Sequence, residues 1–582
     1  MKRKTLYGVC LAFSLWGLSS CSKFLDVEPE EVLLKEQMYR NIFDADAAVI
    51  GVYGKFLGLA EQHVLLNELR ADLLTVTPQA DPYLHEINSN DVTAMSANNP
   101  YINPRKFYEV ILACNDVLTN FNAMRDDNKM DIDQYNSRYS DIMGIRTWVY
   151  LQLGIHYGNV PYVTDPLESM DDVLDNNKYP IIAFEQLLSN LIRDMENIPY
   201  KGLYPDDESL RLAVDGFNLE RFFINKYTLL GDLYLWNNDY LKSADAYKRA
   251  MTYYDNKGND TWNFDYFKLK ERSVTNNNDL SIGYARFREQ DIRTFVNSKT
   301  LGWRSMFSRS QDALWNSEWV WTMPFASNFG QTNPFIRYFA INGGEYLLKP
   351  SKEVIDLWDE QEQWNGVPYD GRKLLSVTNV DDRPVITKYT DEYADITTLL
   401  PVDEYNRNGK WFLYRAAKLH LRFAEAANRD AKHKLAYALL NNGLRGNYDD
   451  PTQTDKTDLM QTHLPWPYDF DARMGANPYF RGIWHRNEGI RSRAYLQSRV
   501  IENPADSLMH IENYLIEEGA LELAFEGSRW EDLVRIARRR NDPAFLADKV
   551  YEKLSKEGVG NASAIRSKLM QPENWYLPFR WE

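Results

Sequence analysis

The sequence predicts a mostly α-helical fold that packs its helices in tetratricopeptide-like pairs and gives one face to long loops. Three observations carry this reading. Apolar residues recur at three- and four-residue spacing in several segments, which marks amphipathic helices. One segment matches the tetratricopeptide repeat, and long aromatic-rich irregular stretches separate the helical ones.

The first twenty residues stand apart from that fold. Lys2, Arg3 and Lys4 precede an apolar run from Leu6 to Leu18. The run is too short for a spanning helix, which needs roughly 20 apolar residues, and it has the make-up of a secretory leader. Leu18, Ser19 and Ser20 then lead into Cys21, a pattern that resembles a lipobox. Residues 1–20 are read as a lipoprotein signal peptide and Cys21 as the lipid anchor. Two or more acyl chains, at about 0.8 kcal/mol per buried methylene, hold a protein on a membrane without spanning it. Cys10 leaves with the leader, so Cys114 is the remaining thiol. That excludes an internal disulfide and a cysteine metal cluster, and Cys114 reads as a small buried apolar residue.

Residues 21–582 read as a single domain. Hydrophobic residues make up 44% of the chain, which places it among globular proteins. A net charge of −16 argues against a nucleic-acid partner, because phosphate binding draws on Lys and Arg. Aromatics reach 14%, with 16 Trp and 37 Tyr. That excess suits either ligand contact through flat amphipathic rings or aromatic helix packing.

Four helical regions follow from the periodicity. In the first, about 104–158, Phe107, Ile111, Cys114 and Leu118 share one face. Ile142, Ile145, Trp148, Val149 and Ile155 share another, with Gly158 and Pro161 ending the second helix. In the second, 221–251, Tyr227, Leu230, Gly231, Tyr234, Tyr240, Tyr247 and Ala250 fall at tetratricopeptide positions. Gly231 permits close helix approach, and Ser243 stands where that repeat prefers Ala. The third runs from Trp411 to Leu444, and the fourth from Glu512 to Arg540. Irregular inserts lie at about 71–103, 255–350, 365–410 and 446–508. Loops of that length in a compact domain are functional or disordered, and dense aromatics argue against disorder.

Four stretches together carry a resemblance. They are CSKFLDVEPEE from Cys21, GIRTWVYLQLGIHYGNVPYVTDP from Gly144 to Pro166, LHLRFAEAANR from Leu419 to Arg429, and LELAFEGSRWEDLVR from Leu521 to Arg535, followed by YLPF at Tyr576 to Phe579. In this order, across nearly the whole chain, they resemble the SusD/RagB family, surface lipoproteins of Bacteroidetes nutrient uptake. The resemblance implies a SusD-like fold of tetratricopeptide-like helices with a loop-rich ligand face. It also implies an outer-membrane location, a glycan ligand and a SusC-like TonB-dependent transporter as partner. A minority of the family takes peptides instead. The motif residues themselves read as scaffold: Phe525, Trp530, Leu533 and Val534 as core, Glu526 with Arg529 as an ion pair or cap.

No catalytic signature accompanies these motifs. There is no nucleophile elbow, zinc helix or Walker A loop, and His85 and His156 read as structural. Asp131 and Asp133 lack the Gly and Glu of a calcium loop and read as a solvated acidic stretch. Neither a cofactor nor a metal is implied. A surface glycoside hydrolase remains the alternative of a different class, since a carboxylate pair roughly 5 to 9.5 Å apart has no sequence signature.

A sugar ring offers an apolar C–H face and a hydroxyl edge, so its site needs exposed Trp or Tyr with polar groups at the rim. Two inserts contain that mixture, and the resemblance points to the same regions. Asp72, Tyr83, Asn99 and Tyr101 are candidates in 71–103, and Trp303, Arg304 and Trp315 in 281–339. Trp303 and Tyr101 lie in loop-like sequence that favours exposure. Trp319 and Trp321 sit in a strand-like run in which at least one ring points inward.

Overall fold

A computed structural model describes residues 38–252, 303–308, 318–326, 331–448 and 460–580, except 168, 206, 212, 215, 216, 219, 220, 365, 396, 477, 478 and 486. The first described helix, Ile42–Leu57 (α1), starts at Asn41. The Asn41 side chain accepts the N–H groups of Phe43 and Asp44, two of the donors that a helix start leaves orphaned. Arg105–Asp126 (α2) and Ile132–Tyr157 (α3) then pack on each other. Asp131 is the N-cap of α3 and closes a capping box with Gln134, so its role is to start a helix rather than to sit in a solvated loop. Cys114 is buried in α2, and burial pushes its thiol up to about 12.

Phe184–Asn197 (α4) lies against α3, and Lys226–Trp236 (α5) with Tyr240–Thr252 (α6) forms the pair that the repeat spacing predicts. A Cβ added at Gly231 would stand 2.3 Å from the Tyr247 ring. The hydroxyl of Ser243 donates to the Gly231 carbonyl at 2.9 Å, which gives Ser in place of Ala a cross-helix bond.

Trp319–Phe325 (β1) pairs antiparallel with Gly409–Arg415 (β2). The sequence reading begins a helix at Trp411. The structure instead keeps Trp411–Arg415 extended and starts Ala416–Arg429 (α7) immediately after. Every residue of β2 is buried, so the strand lacks the alternation by which strands are recognised. His433–Leu440 (α8), Ser507–Leu523 (α9) and Arg529–Arg540 (α10) complete the helices that matter here. The inserts also hold short elements, including a helix at Pro82–Ser89 and a hairpin of Val377–Val380 with Arg383–Ile386.

Much of the tryptophan excess is spent on packing. Phe56 of α1 stacks on Trp321 of β1 at 5.4 Å and meets Trp148 of α3 and Trp411 of β2, both at 5.1 Å. Each such pair adds about 0.5–1.5 kcal/mol beyond its buried area. This box fastens the small sheet to α1 and α3. Both Trp319 and Trp321 point inward.

A second fastening is ionic. Glu522 of α9 accepts from Arg415 at 2.9 Å, Arg493 at 2.8 Å and Arg372 at 2.7 Å. Glu318 bridges Arg415 and Arg493 at 2.8 Å each. Asp370 and Glu518 take the rest of Arg372. Glu526 accepts from Arg415 at 2.7 Å and from Lys388 at 2.9 Å. Arg529 pairs with Asp72 at 2.7 Å, so the expected Glu526–Arg529 pair resolves into two separate long-range partnerships.

Two stability outcomes follow. Glu522→Gln removes the charge that three buried guanidiniums share and is expected to cost about 3–5 kcal/mol, read as a lower urea midpoint. Gly231→Ala drives a methyl into Tyr247 and is expected to cost about 1–3 kcal/mol, whereas Ser243→Ala should cost about 1 kcal/mol for one hydrogen bond.

Candidate functional site

A cleft of about 740 Å³ opens between α6 and residues 461–484. Its floor follows from the tetratricopeptide-like pair. Ala244, Tyr247, Ala250 and Met251 bury one side of α6, which leaves Asp245, Lys248 and Arg249 to face the loop. The loop is braced across its base. Ala472 N–H donates to the Met460 carbonyl at 2.9 Å, and Thr462 N–H to the Phe470 carbonyl at 3.0 Å. The Thr462 hydroxyl donates to the Tyr468 carbonyl at 2.6 Å and accepts Phe470 N–H at 3.0 Å. At the tip, Pro465 and Pro467 flank Trp466, and Tyr468 N–H closes the turn on the Pro465 carbonyl at 2.9 Å. Proline fixes φ on both sides of the indole.

Trp466 is therefore held out of the core, 43% exposed. Its indole N–H donates to Asp245 at 2.5 Å, and the Arg249 guanidinium lies 5.7 Å from its ring. Beneath it the buried Lys248 ammonium sits 3.6 Å from the centre of the Phe470 ring and 5.6 Å from that of Trp484. It donates to the Asp469 carbonyl at 2.7 Å and carboxylate at 3.1 Å. A cation over aromatic faces is attracted by their quadrupoles, so Lys248 ties floor to loop. Burial raises the Asp471 carboxyl, but hydrogen bonds from Arg473 outweigh it and keep the group below its usual range. The cleft thus presents the partly exposed Trp466 indole, the half-exposed Arg249–Asp245 pair, and Asp469, Gln461 and His463.

The sequence candidates are distributed otherwise. Tyr83, Asn99 and Tyr101 come together: Asn99 donates to the Tyr83 carbonyl at 3.1 Å and to Glu86 at 2.9 Å, and the Tyr101 hydroxyl donates to Asp81 at 3.2 Å. Tyr83 and Tyr101 are half-buried, whereas Asn99 is buried as the cap of a short helical turn. Asp72 is buried against Arg529. Trp303, expected to be exposed, is fully buried with Phe307, Trp319 and Phe412. Arg304 beside it is buried in an ion pair with Asp391 at 2.8 Å. Internal partners far along the chain claim Asp72, Trp303 and Arg304, and loop-like local sequence cannot reveal them. Trp315 and Cys21 lie outside the described residues.

The sequence marks an insert at 446–508 but singles out no residue in it. The signal was the Pro465-Trp466-Pro467 triplet, which puts an aromatic between two residues that disfavour regular structure.

Residues 234–578, more than half of the chain, match the family model described as the SusD family. A SusD-like protein of Formosa agariphila is 23% identical over 189 residues, covering 32% of this chain and 35% of its own length. The chain spans well under half of the curated relatives it matches. Among solved structures, a SusD-like carbohydrate-binding protein from Bacteroides fragilis superposes with a TM-score of 0.53 at 15% identity, covering 87% of this chain and 88% of that one. A laminarin-binding SusD-like protein gives 0.52 at 15% identity, covering 93% and 98%. At these identities the structures establish a shared, mostly α-helical fold.

Proposed function

We propose, for a chain that belongs to the SusD family, that it is a binding protein which captures glycans at the Trp466 cleft. The observation that carries this reading is the exposed indole, presented on a braced turn over a cleft with charged and amide groups at its rim. A sugar ring laid on that face gains the contact of its C–H groups with the π-system, and its hydroxyls reach Arg249, Asp469 and Gln461. The carbohydrate-binding and laminarin-binding relatives support the ligand class.

The same reading assigns the outer parts of the role. Cys21 is the acylation site that holds the protein on the outer membrane, facing outward. A SusC-like TonB-dependent transporter receives the ligand. Capture with release suits a shallow aromatic platform better than a deep enclosed pocket, because a transported ligand must leave again.

Two measurements test these assignments. In native gels cast with a panel of polysaccharides, wild type should be retarded by at least one. Trp466→Ala should weaken that binding by at least about tenfold, or ~1.4 kcal/mol, with Tyr101→Ala unchanged. Loss in Tyr101→Ala but not in Trp466→Ala would move the site to the early loop. Silence across all glycans, with heat released from peptide pools in calorimetry, would replace glycan by peptide. Cys21→Ser should shift the protein from the membrane to the soluble fraction, and membrane retention of that variant would refute the anchor.

A further inference from the structure

Beside the Trp466 cleft lies a second cavity of about 530 Å³, and Gln461, Thr462, His463 and Leu464 line both. Its chemistry differs from its neighbour's. Lys432, His433 and Lys434 line one side, Tyr448 another, and His463 stands on the shared wall. Among the described residues, no acidic side chain lines it, in a chain whose net charge is −16.

Among the described residues, the cations here meet only distant or uncharged partners. Lys432 donates to the Asp430 carbonyl at 3.2 Å, and the Asp430 carboxylate is 3.9 Å away. The Lys434 ammonium lies 4.4 Å from the centre of the Tyr448 ring, and Lys434 is exposed. His433 is engaged through Nδ1 with the Asn428 side chain at 2.7 Å. Burial, and then Lys432, hold its imidazole below the usual range, so it adds a polar edge rather than a charge. The three basic residues also occupy the start of α8, where the N-cap Lys432 provides no side-chain hydrogen bond. Helix starts favour acidic residues, because the dipole makes that end positive. Here the two lysines reinforce the positive end, which lowers local stability unless an anion is present.

We propose that this cavity is an anion subsite continuous with the Trp466 cleft, and that the captured glycan carries acidic groups, either uronate carboxylates or sulfate esters. One sugar stacks on Trp466 while an acidic group further along the chain crosses the 461–464 ridge and meets Lys432 and Lys434. The inference rests on the glycan-binding reading and narrows its substrate class.

The test uses the chain from residue 22 onward in affinity gels and calorimetry with three probes: polygalacturonate, chondroitin sulfate and a neutral β-glucan. At least one acidic probe should bind more tightly than the neutral one, with an affinity that falls as salt rises. The double substitution Lys432→Gln with Lys434→Gln should weaken the acidic probe by at least about tenfold. Neutral binding should stay unchanged, and the thermal midpoint should not fall. The acidic probe that responds distinguishes carboxylate from sulfate. Equal binding of acidic and neutral probes, untouched by the double substitution, overturns the subsite and leaves glycan capture standing provided that Trp466→Ala still weakens it at least about tenfold. No binding to any probe by wild type overturns both.

Discussion

Glu522 sits where one carboxylate meets three guanidiniums, and the assembly of this molecule depends on that meeting. Arg372, Arg415 and Arg493 come from segments far apart in the chain, and Glu318 closes the set from a fourth. Each charge alone would carry a desolvation penalty of several kcal/mol inside the protein. Together they are mutually satisfied in essentially one arrangement, so the lattice acts less as a source of net stability than as a selector of geometry. A protein that strings long irregular segments between helical pairs needs such a selector. Apolar packing alone would tolerate several placements of those segments.

The same logic explains the motifs by which the family is recognised. LHLRFAEAANR forms α7, and LELAFEGSRWEDLVR spans the end of α9 and the start of α10. The two are partners of one another. Arg422 reaches Glu531 at 2.6 Å and Asp532 at 2.8 Å, and Glu425 takes Arg535 at 2.7 Å and Arg539 at 2.6 Å. Glu68 accepts the backbone N–H groups of Phe525, Gly527 and Ser528. Burial still pushes its carboxyl up to about 7. Motifs that look like helix-surface charge patterns are therefore interior joints.

That distinction sets how much could be read from the sequence. The helices around Trp148, Tyr247, Phe423 and Trp530 were legible because their apolar spacing is a local property. The close approach at Gly231 was legible too, since it follows from a repeat. Strand β2 was not, because burial on both sides erases alternation. The burial of Trp303 and Arg304 was not legible for a related reason. Their partners, Phe412 and Asp391, lie about a hundred residues away, and local sequence has no term for them. At the candidate site the boundary of the insert was legible, but the residues were not. Trp466 stands out only once Thr462, Phe470 and Lys248 are seen to brace its turn.

Bracing matters for what the cleft can do. Ordering a loop on binding costs about 0.5–1.5 kcal/mol per immobilised side chain, a large share of the affinity available to a shallow platform. Here that ordering is already in place. The turn is closed on itself at Thr462 and Pro465, and Lys248 pins it to α6, which is packed on α5 and α7. Helix α7 is in turn locked to α10 by Arg422 and Glu425. The chain of contacts from the interior joints to the exposed indole is thus continuous. A stiff scaffold lets a weak, open and releasable site keep its geometry, whereas the same loop on a loose scaffold would spend its modest contact energy on becoming ordered.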